Sequence, residues 1–145
     1  HWTLAVAKTC STASFIFPFE RPHAVNVENN CIFLPCTWES GLDDLVRFSD
    51  YTIISSLWTA PIESALIKSI ALSMGVFVVN PEYSYPNEIQ DDIVCKLPLD
   101  PYEASSIITS KINLQWSVPV DVRKAWLEAF FSNNNLYENL LKLTL

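Results

Sequence analysis

The stretch DYTIISSLWTAPIESALIKSIALSMGVFVVNP, residues Asp50–Pro81, contains two apolar runs separated by a run with helical periodicity. The runs Tyr51–Ser55 and Val76–Val79 are rich in β-branched and aromatic residues and are too apolar for half-exposed strands, which predicts two central strands of a parallel sheet. Between them, Pro61 suits the first turn of a helix, and Gly75 is expected to end that helix. The stretch therefore predicts a βαβ unit.

Ligands of parallel α/β domains bind beyond the carboxyl ends of the strands, which here points to the loop and helix start after Tyr51–Ser55. The candidate contacts are Ser56, Trp58, Thr59 and Glu63. A carboxylate at a helix start is stabilised by about 0.3–1 kcal/mol and can accept hydrogen bonds from two ribose hydroxyls. Alternatives stay open, because first-turn glutamates and capping hydroxyls are common in helices without ligands, and Trp58 can pack under the helix as well as stack on a base.

The composition is that of one globular domain, residues 1–145, of which half are hydrophobic. A chain of this length buries about two thirds of the surface that its unfolded form exposes. The 9 basic residues are scattered and outnumbered by 16 acidic ones, so no nucleic-acid footprint is expected. No apolar run reaches the ~18 residues of a transmembrane segment, which favours a cytoplasmic protein. With only two glycines, the chain has no glycine-rich phosphate loop.

The four cysteines and two histidines do not show the spacing of a zinc site, and reduced, buried thiols are expected. The acidic pairs Asp43-Asp44 and Asp91-Asp92 are sequence neighbours, whose side chains point to different sides of a helix. We therefore expect solvated carboxylates at both places and no metal site.

The remaining chain alternates strand and helix patterns, which predicts a Rossmann-like α/β fold: a parallel sheet with helices on both faces and a C-terminal helical cover. Asp100 and the following Pro-Tyr-Glu are typical of a helix start. Tyr83 and Tyr85, in the loop after the second strand, can stack on a ligand ring or pack at the loop edge. Further strands are predicted at Trp2–Ala7, within Phe15–Phe19, at Cys31–Leu34 and at Ile93–Leu97.

Helices are also predicted after Ser40, taken as an N-cap, and across residues 117–145. In the latter region a helix from Pro119 has an apolar face, and Asn135 is expected to cap a last helix. That face consists of Val122, Ala125, Trp126, Ala129 and Phe130.

Four segments in order, NCIFLP, SGLDDLVRFSDYTIISSLW, TAPIESALIKSIALSMG and VFVVNP, resemble the C-terminal half of retaining glycosyltransferases of the GT-B fold. The resemblance covers residues 33–113. It implies a Rossmann-like domain that binds a nucleotide sugar, with a nucleoside-diphosphate sugar as substrate and no separate cofactor. It also implies hexosyl transfer once an N-terminal acceptor domain or a partner subunit completes the cleft.

The chain departs from the motif of that family, which has two glutamates eight positions apart with glycines between them. Glu63 matches one glutamate, whereas its partner is missing and Leu57-Trp58-Thr59-Ala60 replaces the glycines. The resemblance therefore implies a degenerate active site. The alternative function is a non-catalytic, glycosyltransferase-like interaction module in a larger assembly, and a Rossmann-type domain for another ligand is a third reading.

Overall fold

The computed structural model describes residues 2–23, 26–57, 64–82 and 84–133. Within these residues the chain alternates helices with short parallel strands, so the predicted α/β class is confirmed. The helices are α1 (Trp2–Thr9), α2 (Leu42–Phe48), α3 (Ser64–Leu72), α4 (Pro101–Asn113) and α5 (Val120–Asn133). The strands are β1 (Phe15–Phe17), β2 (Cys31–Phe33), β3 (Tyr51–Ile54), β4 (Gly75–Val79) and β5 (Cys95–Leu97).

The described strands form two parallel sheets rather than one. In the first, β1 pairs with β2, and Phe15 lies opposite Cys31. In the second, the order is β3-β4-β5, with Gly75 of β4 opposite Tyr51. Both sheets contribute to one apolar cluster, because Phe15 and Phe17 of β1 pack in the same core as Phe77 of β4.

Strand β4 is buried along its whole length and separates two apolar cores. Phe77 points into the first core, which α1, α4 and β1 complete. Val76 and Val78 point the other way, into the second core, which contains Leu66 and Ile70 of α3. Successive side chains of a strand alternate between faces, so the continuous apolar run fits a strand covered on both sides. The predicted helices on both faces are thus confirmed.

The predicted strand at Trp2–Ala7 is wrong, because these residues form helix α1. Val6, Ala7 and Cys10 are almost fully buried, and their spacing places them on one side of a helix that packs against α4. The segment is short and nearly all apolar, so its periodicity does not distinguish a strand from a helix. The packing partner α4 decides the structure, and its contact between Thr109 and Cys10 spans 99 residues of the chain.

Asn30 connects the end of α1 to strand β1. Its side-chain amide donates to the carbonyl oxygens of Ala7, Cys10 and Ala13 at 2.9, 3.0 and 3.1 Å. Its own backbone carbonyl accepts from Phe15 N at 2.7 Å. One side chain therefore satisfies carbonyl groups that the end of a helix leaves without partners.

The change Asn30→Asp should lower the free energy of unfolding by about 2 kcal/mol, because a carboxylate cannot donate to three carbonyl oxygens. Chemical denaturation would measure the loss. Asn29→Asp is the matched control, since Asn29 is an exposed turn residue, and it should stay within about 0.5 kcal/mol. Equal effects of the two substitutions would contradict this role of Asn30.

Gly75 does not end a helix as predicted. Helix α3 ends at Leu72, and Gly75 is the first residue of β4, with its backbone outside the left-handed region. The ring of Trp116 covers it: a Cβ atom at this position would lie 2.6 Å from Trp116 Cζ3 and 3.1 Å from Tyr51 Cδ1. The glycine is therefore needed for space, so that Trp116 can stack on Tyr51 at a centroid distance of 6.2 Å.

Gly75→Ala should cost about 1–3 kcal/mol of stability, because the added methyl group overpacks the Trp116 ring. Denaturant titrations of the single variant and of the double variant with Trp116→Leu test the cause. The smaller leucine should make the alanine less costly in the double variant. If the cost of the alanine is the same with either residue at position 116, steric contact with Trp116 is not the reason.

Of the helix caps predicted at Asp100 and Ser40, the structure has the first and not the second. The Asp100 side chain accepts hydrogen bonds from the backbone of Tyr102 and Glu103, both at 2.9 Å, which confirms the predicted cap of α4. The predicted cap at Ser40 is wrong, since Ser40 lies in a 3-10 turn and Gly41 precedes α2 with a φ of 111°. Such a φ favours glycine.

Helix α5 forms the described part of the C-terminal cover. Its Arg123 side chain donates to the carbonyl oxygens of Ile70, Ala71 and Ser73 at the end of α3, at 2.6–3.2 Å. Of its predicted apolar face, Val122 and Trp126 pack against the second core and Phe130 stacks on Trp126, but Ala125 and Ala129 are exposed. The last predicted helix, from Asn135, lies outside the described residues.

Candidate functional site

The loops that follow β3, β4 and β5 lie at one edge of the second sheet, because the three strands are parallel. We call this edge the carboxyl edge. Of the four predicted ligand contacts, Ser56 lies here, two residues beyond the end of β3, and it is half-buried. Trp58, Thr59 and Glu63 fall within residues 58–63, outside the described part of the chain. Ser56 is thus the one predicted contact whose position can be stated.

A polar network that the sequence did not indicate fixes the loop after β4. Ser84, which is buried, donates to Asn80 Oδ1 at 3.0 Å, and Asn80 Nδ2 donates to Asn87 Oδ1 at 2.9 Å. The Asn87 amide donates to the carbonyl oxygen of Glu82 at 2.9 Å, and Asn80 N donates to Leu97 O of β5 at 3.0 Å. These bonds hold the loop in one shape beside Ser56's loop.

Tyr85 contributes to packing rather than to an open binding surface. It is half-buried against the second core, and burial, followed by the nearby Glu88 carboxylate, raises the pKa of its hydroxyl. The packing alternative therefore holds for Tyr85. Tyr83 lies outside the described residues.

The neighbouring carboxylates Asp91 and Asp92 are both exposed. Asp91 is 85% exposed and forms an ion pair with Lys96 at 2.7 Å, whereas Asp92 is exposed beside it. In the described ranges, no group of three or more His, Cys, Asp or Glu side chains could hold a metal ion. An ion pair at the surface, such as Asp91–Lys96, contributes little to stability.

The Cys31 and Cys95 thiols are not activated for nucleophilic chemistry. All four cysteines are free, with Cys10 and Cys95 buried and Cys31 and Cys36 half-buried. Burial is the main cause that raises the pKa of the Cys95 and Cys31 thiols, so both stay protonated at neutral pH.

Side chains of both sheets meet in the first core, where Phe15 and Phe17 of β1 belong to the same cluster as Ile53 of β3. The strand ladders do not join the two sheets, because β1 pairs with β2 and β3 pairs with β4 in the described residues. Ligands of parallel α/β sheets bind outside the carboxyl ends of the strands, which for the second sheet is the carboxyl edge.

Comparison of the whole chain with protein-family models, curated proteins and solved structures gives no significant match. In the described part of the chain, none of the helices combines the length and apolar character that a bilayer crossing requires.

One buried polar atom of β3 lacks a hydrogen-bond partner. Thr52 Oγ1, on β3, is buried and makes no hydrogen bond, which is true of no other buried side-chain N or O atom in the described residues. Thr52 pairs with Val76, so its side chain points toward the second core and α3. An unpaired hydroxyl in such a place costs stability.

Thr52→Val should raise the free energy of unfolding by about 1 kcal/mol, because it removes an unsatisfied hydroxyl at nearly constant volume. Thr9→Val is the matched control. The Thr9 hydroxyl donates to Val6 O at 3.1 Å, and its loss should lower stability. Urea denaturation would compare the two variants, and a destabilising Thr52→Val would show that the hydroxyl has a partner.

Proposed function

We propose that this chain binds a nucleoside-diphosphate sugar at the carboxyl edge, as the donor-binding half of a GT-B glycosyltransferase. The observation that carries the proposal is the parallel β3-β4-β5 sheet, at whose carboxyl edge the loop with Ser56 leaves β3. The resemblance over residues 33–113 supports the same ligand class. Hexosyl transfer would require an acceptor half, because the site of such an enzyme lies between two domains.

The four proposed contacts have distinct roles. Ser56 and Thr59 would donate hydrogen bonds to sugar or phosphate oxygens, Glu63 would accept from the ribose hydroxyls, and Trp58 would stack on the base. The exposed Glu82 and Glu88 on the loop after β4 disfavour phosphate there, so the diphosphate would lie nearer the loop after β3.

A thermal-shift series with uridine and guanosine diphosphates, their hexose conjugates and the free hexoses tests the proposal. A ligand present at 100 times its dissociation constant should stabilise the chain by about 2.7 kcal/mol. The diphosphate sugars should raise the melting temperature and the free hexoses should not. If none of these nucleotides shifts the melting temperature, the proposed ligand class is wrong.

Glu63→Ala should reduce the nucleotide-induced shift, and Glu103→Ala is its matched control. Glu103 is an exposed glutamate in the first turn of α4, at the same edge of the sheet but after β5. A carboxylate that accepts ligand hydroxyls is worth about 1.5–3 kcal/mol, which corresponds to at least a tenfold loss of affinity. Equal affinities of the two variants would remove Glu63 from the site.

The second candidate function is the non-catalytic interaction module, and the outer face of the first sheet favours it. Ile16 and Ile32 are paired neighbours, 39% and 43% exposed, and Leu34 beyond β2 is 47% exposed. Parallel sheets are normally covered on both faces, so this apolar face fits a partner in an assembly. Ile32→Ser would then impair assembly while nucleotide binding stays unchanged.

A further inference from the structure

The loop after β4 is the neighbour of the loop with Ser56 at the carboxyl edge. β3 and β4 are paired parallel strands, with Ile54 opposite Val78, so the chain leaves both strands at the same end of the sheet. In the described residues, β4 is the one strand that pairs with β3. A ligand that lies on the loop after β3 and extends along the second sheet therefore meets the loop after β4 next.

Hydrogen bonds fix two glutamates of this loop relative to the end of β4. Asn87 Oδ1 accepts from Asn80 Nδ2, and Asn87 Nδ2 donates to the carbonyl oxygen of Glu82, both at 2.9 Å. Glu88 follows Asn87 at the end of a 3-10 turn, and the next residue, Ile89, is buried in the second core. Both glutamates are exposed. The loop thus presents two carboxylates on a backbone of fixed shape.

Basic side chains of the described residues leave these two carboxylates unpaired. The ion pairs in that part of the chain are Lys96 with Asp91 and Lys124 with Glu128. Residues 80–103, which include the loops after β4 and β5, contain six acidic residues and one basic residue, Lys96. Because Lys96 is already paired with Asp91, this side of the carboxyl edge has a negative potential.

The parts of a nucleoside-diphosphate sugar meet these loops in order. In the function proposed above, the nucleoside and the diphosphate lie at the loop after β3. The hexose is bonded to the outer phosphate, so it is the part that extends toward the loop after β4. Carboxylates accept hydrogen bonds from the neutral hydroxyls of a hexose. A hexuronate would instead bring its own carboxylate close to two like charges, which repel it.

We propose that Glu82 and Glu88 determine the class of sugar, favouring nucleoside diphosphates of uncharged hexoses over those of hexuronates; this role rests on the proposed function. The two carboxylates accept hydroxyl hydrogen bonds from an uncharged hexose and repel the carboxylate of a hexuronate. Because the repulsion acts between exposed charges, it is strongest at low ionic strength and is screened by salt.

Isothermal titration of the full chain tests the selection with uridine diphosphate, its glucose conjugate and its glucuronate conjugate. At low ionic strength the glucuronate conjugate should bind about fivefold or more weakly than the glucose conjugate, and about 0.5 M salt should narrow the difference. Guanosine-diphosphate mannose and mannuronate form the equivalent pair if the chain binds guanosine rather than uridine diphosphate.

Two failures can be told apart in these titrations. If the nucleoside diphosphate binds and its hexose and hexuronate conjugates bind equally well at low salt, the selection is wrong and the proposed function stands. If neither nucleoside diphosphate nor any conjugate binds, the proposed function is wrong and the selection fails with it.

The double variant Glu82→Gln/Glu88→Gln should bring the affinities of the two conjugates to within about twofold, because glutamine keeps the shape of glutamate without its charge. The gain should be in the affinity for the hexuronate conjugate. Circular dichroism should show the variant folded, since both residues are exposed.

Asp50→Asn/Asp121→Asn is the matched control, because it changes the net charge by the same amount at the opposite end of the second sheet. Asp50 immediately precedes β3, and Asp121 lies three residues beyond Val118, whose backbone bonds Met74 just before β4. This variant should keep the preference for the hexose conjugate. Equal changes in the two double variants would overturn the selection, because net charge rather than Glu82 and Glu88 would then decide it.

Discussion

The burial of β4 on both faces is the constraint on which the rest of the structure depends. Every residue from Gly75 to Val79 is buried, and the side chains of Val76, Phe77 and Val78 alternate between the two cores. Two separate layers of helices are needed to cover them, and each layer must stay in place to exclude water from the strand. The positions of α1, α3, α4 and α5 follow from that requirement.

Polar side chains join these layers at their ends. Asn30 satisfies the end of α1, Arg123 satisfies the end of α3, and the network around Ser84 closes the loop after β4. Each one bonds backbone carbonyl groups or side chains that would otherwise lie near the core without partners, which is costly. The apolar layers thus supply the driving force for folding. A few side-chain amides and one guanidinium satisfy the polar groups at the ends of the helices and in the loop after β4.

The central unit could be predicted from sequence because its signals are local. The runs in β3 and β4 and the Asp100 cap are readable from neighbouring residues, and they are found where expected. The signals that failed are long-range. The helical structure of α1 depends on its contact with α4. The need for glycine at position 75 depends on the ring of Trp116, which is distant in sequence. At the carboxyl edge, the place of Ser56 just beyond β3 follows from the predicted strand, and its role as a ligand contact stays a prediction. The Asn80–Ser84–Asn87 network depends on the shape of a loop that no motif describes.

The boundary between the two sheets has a mechanical consequence. In the described residues, β1 and β3 share no ladder hydrogen bonds, and the sheets are joined there by the packing of side chains such as Phe17 and Ile53 in the first core. Apolar contacts are non-directional, whereas ladder hydrogen bonds fix register. A small shear between the sheets therefore breaks no backbone hydrogen bond between β1 and β3. Such a shear would move β1 and β2 together, while β4 keeps its ladder hydrogen bonds to β3 and β5.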